Sequence, residues 1–451
     1  MKTNSKVQDY KLVWDSYTGL GGFKNGSYLI QYEAEDEDGI KRRKLCAKYN
    51  NYIASFVDGK VDPVFSKIAT RTYKDNEIIK MFIEDADNNQ TSLQEYIHKA
   101  TTMTTLLGNS FLIVDNFPEK ELMKNLKDTL THRKFPYIYS KETYDVSGFQ
   151  KDKFGALESI TFNYYPIDSD GDESDYDYFQ EFNKDYNLIY RIEKKLKVEK
   201  VKEEIFKNNH MLGRVPVVYF NKSILPNSPY YSMAGSAKAL YNLDSEIQNL
   251  CSTQSFSLLL MPSTSPGEDG KDQVVGANNA LFFDADATNV PSYISPDAAI
   301  LTGLREIKSS SIEELIQSAD VLGTSAISSG TGASSGIAES YKFFGKMFAL
   351  LQSKKIAESI ESDLIKVVSI MIGEAVEYEV EYESNYSPTF FDIKQKIDVL
   401  GLIADRDISP LATSKANSSI MELAGGFMDW TDEEMEAIKD SITEYSVVDD
   451  G

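Results

Sequence analysis

Along this chain the spacing of apolar positions changes twice, and each change marks a different kind of predicted element. Up to about residue 119, short extended runs alternate with helical pieces. Within them Leu106-Leu107-Gly108-Asn109 closes a helix and Ser110-Phe111-Leu112-Ile113-Val114-Asp115 opens an apolar strand. From 135 to 220 the pattern is strand-like, with candidates at 137–139, 157–165, 186–191, 196–201 and 215–220, and this predicts a β-meander. The segment 168–177 is so acidic that it reads as a surface loop.

Beyond Pro229 the period becomes helical. Met233, Leu240, Leu243, Ile247 and Leu250 recur at spacings of three and four, predicting a helix over 233–260, about 40 Å long. A run rich in Pro, Gly and Asp follows, with a strand candidate at 280–283. A second helix is expected over 310–322, with Ile312, Leu315, Ile316, Ala319 and Leu322 on one face. The uncharged segment 325–336, rich in Ser and Gly, has the composition of a flexible loop. A third helix is expected over 338–375, then a β-prone run at 375–382, a helix at 391–403, a turn at Ile408-Ser409-Pro410 and two acidic helical segments. No repeat at a solenoid period is visible.

Composition narrows the function classes. The chain has 451 residues, 41% hydrophobic and 12% aromatic, enough for two to four domain-sized units with real cores. Its formal charge is −23, from 47 Lys and Arg against 70 Asp and Glu, which disfavours sequence-reading contact with a polyanion. A wall past which DNA slides is compatible with that charge, because strong phosphate contacts would hold the duplex in place. Cys46 and Cys251 form no CxxC pair and read as buried thiols. There is no signal-peptide pattern and no run near the roughly 20 apolar residues of a membrane span, so a reducing cytoplasm is expected.

Candidate chemistry is sparse. The run Gly330-Thr331-Gly332-Ala333-Ser334-Ser335-Gly336 has the glycines of a phosphate loop, but it follows a helix and lacks the Walker lysine. Asp168, Asp170 and Asp172 fit the first ligand positions of an EF-hand, yet Glu173 and Phe179 stand where Gly and Glu are required. His98, His132 and His210 lie too far apart for a zinc site, and no G-x-S-x-G elbow is present. The basic cluster Lys41-Arg42-Arg43-Lys44 is expected to be a solvated strand end beside a hairpin at Asp38-Gly39. No enzyme activity, cofactor or metal is expected.

The order of these elements resembles the portal proteins of tailed bacteriophages. The resemblance is carried by Gly108-Asn109-Ser110-Phe111-Leu112-Ile113-Val114, by Gly213-Arg214-Val215-Pro216-Val217-Val218-Tyr219-Phe220-Asn221, by Leu243-Asp244-Ser245-Glu246-Ile247-Gln248-Asn249, and by Leu400-Gly401-Leu402-Ile403 with Ile408-Ser409. It implies an α+β portal fold: a wing at 1–229, a stem helix at 230–260, a clip at 261–305 and a second stem helix at 306–324. A tunnel loop at 325–337, a wing helix with the β/α segment after it at 338–405, and a crown at 406–451 complete it. Ser328, Ser329, Gly330, Thr331, Gly332, Ala333, Ser334, Ser335 and Gly336 would line a DNA channel, and Leu240, Leu243, Ile247 and Leu250 would form the stem seam, within or between subunits. The implied assembly is a ring of about twelve subunits at one capsid vertex, put together in the bacterial host cytoplasm. Its implied partners are double-stranded DNA passing without sequence specificity, the terminase large subunit, the head-tail adaptor, and the major capsid and scaffold proteins, with no membrane. Another virion structural protein, an adaptor or minor capsid component, is the alternative.

Overall fold

The N-terminal third is built around one helical core. The computed structural model describes residues 2–33, 35–74, 76–116, 135–165, 176–194, 202–254, 258–263, 280–284, 292–294, 298–321 and 336–382, with 401, 413, 415 and 417–420. Helices α1 (Lys2–Thr18), α2 (Gly22–Asn25), α3 (Glu37–Cys46) and α4 (Tyr52–Val61) precede strand β1 (Thr70–Tyr73), α5 (Glu77–Glu84) and α6 (Leu93–Leu107). Tyr10 and Val13 of α1, Phe56 and Val57 of α4, and Leu106 and Leu107 of α6 are buried together. Helix α6 begins with a reciprocal capping box between Ser92 and Glu95 and ends on Gly108 in the left-handed region, φ 89°. A Cβ at Gly108 would meet Pro226 Cγ at 2.6 Å, so both the turn and the packing require glycine there.

Three sheets follow from the strand-like middle of the chain and its surroundings. Strand β2 (Ser110–Asp115) is flanked antiparallel by β3 (Tyr137–Glu142), with Leu112 opposite Ser140, and by β9 (Val217–Val218), with Ile113 opposite Val217. Strands β4 (Val146–Lys151), β5 (Leu157–Asn163), β6 (Tyr176–Asn183), β7 (Tyr186–Glu193) and β8 (Glu203–Asn209) form an antiparallel meander in chain order. Phe162 and Phe182 of the meander meet Phe111 and Val217 of the smaller sheet in a second core. The third sheet pairs β1 with β13 (Tyr378–Glu381), tying the start of the chain to a strand that follows the longest helix.

Helices α7 (Tyr231–Gln254), α8 (Ala298–Val321) and α9 (Gly336–Ile372) are the long ones, and a small sheet of β10 (Leu258–Ser263), β11 (Ala280–Asp284) and β12 (Ser292–Ile294) lies between α7 and α8 in sequence. The architecture is α+β. Two compact units are present, Met1–Ser384 and Asn385–Gly451, so the boundary falls within the sequence segment 338–405. In the second unit the described residues are helical.

Several expectations need correction. The Lys41–Lys44 cluster is no strand end: it lies in α3, whose N-cap Asp36 accepts the Gly39 amide at 2.6 Å, with Glu37 and Asp38 in the first turn and Arg43 and Lys44 in the last. Charges placed to complement the helix dipole outweigh the turn signal of Asp38-Gly39. Cys46 is exposed and Cys251 half-buried, because both sit near helix ends. The helix expected to reach 260 ends at Gln254, since Leu258 pairs with β12 and Leu259 and Leu260 pair on both sides in β10. Helix α8 begins at Ala298, well before the expected 310. Strands β4, β6 and β8 were not expected; in β6, Phe179 and the buried Gln180 break the apolar–polar alternation. The candidates at 196–201, 391–403 and 408–410, and the residues 168–175, lie outside the described residues or nearly so.

Two buried carboxylates dominate the electrostatics. Glu361 of α9 is fully buried and accepts Arg71 Nε at 2.8 Å and Nη2 at 3.2 Å, together with the hydroxyls of Tyr378 and Tyr382. Burial and the neighbouring carboxylate push both phenols well above their ordinary range, so they stay protonated and donate. Glu142, at the end of β3, is 7% exposed and its Oε2 accepts no hydrogen bond. Burial, then repulsion from Asp145, pushes its pKa up to about 7 against a weaker pull from Lys99.

Replacing Arg71 by Met strands the Glu361 charge and is expected to cost about 3–5 kcal/mol in urea unfolding; a loss within 1 kcal/mol of zero, to an order of magnitude, would contradict the role given to the pair. Because Glu142 holds a proton in the folded chain that the unfolded chain releases, its contribution to stability is greatest below the ordinary value of 4.5 and falls as pH rises toward about 7. The difference in stability between Glu142→Gln and the parent chain should therefore grow by about 3 kcal/mol across that window, and a difference independent of pH would overturn it.

Candidate functional site

Helix α7 was expected to carry a narrow apolar stripe; it is held on two faces instead. Its first turns press Met233, Ala234, Ala237 and Leu240 into the core formed by α1, α4 and α6. Just before them, Tyr230 is 1% exposed, and Lys60 of α4 places its ammonium 5.3 Å from the centre of that ring. Burial lowers the Lys60 pKa to about 8.

The second face is polar. Asn242 Oδ1 accepts the Ile30 amide at 2.8 Å, and its Nδ2 donates to the carbonyls of Tyr28 at 3.1 Å and Lys238 at 2.9 Å. Ser245 Oγ accepts Arg43 Nη2 at 3.0 Å while donating to the Asn242 carbonyl at 2.7 Å. Arg43 in turn pairs with Glu35 at 2.8 Å and is 2% exposed. Tyr241 donates its hydroxyl to the Phe23 carbonyl at 2.9 Å. The segment 22–46 thus clamps α7 by hydrogen bonds that satisfy its own loop backbone.

Helix α8 returns along α7. Lys308 pairs with Asp244, and Leu315 and Ala319, further along α8, join the core that holds Leu240 and Ala237, earlier along α7. Contacts that run forward on one helix and backward on the other define an antiparallel pair. Between its ends the chain passes through the β10–β11–β12 sheet, where β10 lies antiparallel to β12 and parallel to β11. At 24 residues each, α7 and α8 are about 36 Å long, and α9, with 37 residues, is about 55 Å. Helix α9 stops where Gly373 takes φ 74° and its amide and that of Glu374 return to Ile370 and Ser369.

The residues proposed for a stem seam are therefore of two kinds. Leu240 (8% exposed) and Ile247 (7%) are buried, and Leu240 packs within the chain; Leu243 and Leu250 are half-buried. Ser328, Ser329, Gly330, Thr331, Gly332, Ala333, Ser334 and Ser335 lie outside the described residues, while Gly336 opens α9. Asn242, Ser245 and Arg43 were missed, since a polar face on a periodic helix reads as solvent-facing. The one available signal was the three-residue spacing of Asn242 and Ser245, which puts them on one side.

Nothing in this arrangement sets a nucleophile beside a base. Among the described residues no group of three His, Cys, Asp or Glu side chains could hold a metal ion, and no helix is long and apolar enough to cross a membrane. What it offers is a rigid helical pair, anchored at one end in a core and carrying a small sheet at the other. In comparisons with protein families and with curated proteins, nothing matches the chain.

Asn242→Ala removes one acceptor and two donors from the clamp and is expected to destabilise the chain by about 2–4 kcal/mol in urea unfolding, with faster amide exchange across 22–46. Unchanged exchange in that segment would show that the clamp does not hold α7.

Proposed function

We propose that this chain is a portal protein of a tailed bacteriophage: one subunit of a ring at a capsid vertex through which double-stranded DNA is packaged and released. The observation that carries the reading is the α7–sheet–α8 hairpin, followed after residues 322–335 by the 37-residue α9. In this reading the hairpin is the stem, β10–β12 belong to the clip and α9 is the wing helix. The elements before α7 and the strand β13 belong to the wing, and the residues after 405 to the crown.

The uncharged residues 328–336 would line the channel and let a duplex move without a phosphate grip. The net charge of −23 supports the same outcome, because the wall gives no broad electrostatic attraction to hold DNA in one register. Partners on this reading are further copies of the chain, the terminase large subunit and the head-tail adaptor, with major capsid and scaffold proteins around the ring. The chain performs no catalysis, and the packaging energy comes from the terminase.

Negative-stain microscopy with mass photometry on purified protein is expected to show closed rings of about twelve subunits with an open centre, formed without nucleotide. A chain that stays monomeric at every concentration and salt overturns the proposal. Assemblies with no channel wide enough for a duplex would instead favour an adaptor or minor capsid component.

A further inference from the structure

Among the described residues a basic concavity lies on this acidic chain. It is a cavity of 680 Å³ between the β4–β5 turn, the segment 214–222 and α9. Three cations line it, Lys151, Arg214 and Lys222, against a single carboxylate, Asp363. Arg214 is committed to Asp363, with Nη2 donating at 3.0 Å to Oδ2. Lys151 donates to the Lys222 carbonyl, so neither lysine is neutralised by a carboxylate among the described residues. Three aromatic rings complete the site: Tyr219 and Phe220, half-buried in the wall, and Phe154, 84% exposed at the lip. Cations with exposed apolar rings suit an acidic polypeptide segment that can cover the ring while its carboxylates reach the lysines.

The chain carries such a segment, in sequence, between two strands of the same sheet. Residues 168–175 hold five carboxylates, Asp168, Asp170, Asp172, Glu173 and Asp175, and no cation. They connect the end of β5 at Asn163 to the start of β6 at Tyr176, whereas the cavity flanks the other end of β5 at Leu157. The length of β5 separates the two by about 20 Å. A connection of twelve residues would have to be almost fully stretched to reach the cavity and return, at about 3.3–3.6 Å per residue. The complement to the cavity therefore comes from another copy.

We propose that this basic cavity receives the acidic segment 168–175 of a second copy of the chain. The contact joins one end of the five-stranded sheet to the opposite end of its neighbour's, so it is head-to-tail, the geometry that closes into a ring when the rotation between copies allows. It deepens the ring reading by naming a self-contact surface, and it rests on self-association alone. Salt weakens it, because attraction between opposite charges across an open cavity is screened.

The test uses the full chain with Asp168→Asn, Asp170→Asn, Asp172→Asn, Glu173→Gln and Asp175→Asn, whose cavity stays open in any assembly. A fluorescent synthetic peptide of residues 166–178 is titrated onto it at low ionic strength. Saturable binding is expected, weakened at least about tenfold by adding Lys151→Gln and Lys222→Gln and equally by using a peptide with its carboxylates amidated. Absence of binding at millimolar peptide, or binding that ignores the two lysine substitutions, overturns the proposal. Circular dichroism of the lysine variant checks that it is folded. Peptide binding by the variant together with a parent chain that forms no rings would sink the ring reading and keep the contact, while rings of the parent chain without peptide binding would do the reverse.

Discussion

The fully buried carboxylate of Glu361 is the constraint from which the rest of the larger unit can be understood. A charge removed from water is tolerated only when its acceptor positions are filled and a counter-charge lies beside it. Arg71 of β1, Tyr378 of β13 and Tyr382 just after it meet that demand, from segments some three hundred residues apart in sequence. Helix α9 can therefore take only a position that brings Glu361 to those three groups. The ring of Tyr382 lies 5.0 Å from that of Phe65, which extends the same constraint into the residues that follow α4. Helix α9 also buries Ile356, Ile360, Leu364, Val367 and Val368, and the ion pair with two phenols adds a polar constraint to that apolar face.

Helix α7 solves a related problem by a different route. Its early turns are fixed by apolar packing and its middle by the amide of Asn242 and the hydroxyl of Ser245, so the helix is held before it reaches the small sheet. Helix α8 comes back along it and re-enters the same core through Leu315 and Ala319. The pair is thus held through the early and middle turns of α7, and the small sheet follows in sequence where α7 ends.

Charge is distributed unevenly over this framework. Arg43 is taken up by Glu35 and Ser245, Arg71 by Glu361 and Arg214 by Asp363, while Lys41, Lys194 and Lys202 stay exposed. The chain as a whole carries −23, and the cavity at Lys151 and Lys222 gathers basic groups locally. Such a surface repels a polyanion as a whole yet can recognise an acidic segment at one place, because screening confines attraction to the nearest charges.

The sequence by itself determined the local features whose cause is local. Gly108 after Leu107 ends a helix because only glycine takes that conformation beside Pro226, and the period of three and four from Met233 onward gives a helix. Tyr137 to Tyr139, 157–163 and Tyr186 to Arg191 fall in strands because alternation on a half-buried sheet is a property of neighbouring residues. What only the tertiary structure decided is where those elements stop and what their polar residues do. Leu258 to Leu260 left the helix for a strand because β11 and β12 supply backbone partners that no local pattern announces. Arg43 in its basic run was expected to be solvated, and nothing local marks Glu361 or Asn242 as buried. They are buried because partners tens or hundreds of residues away satisfy their hydrogen-bonding groups, and that information is written in the packing.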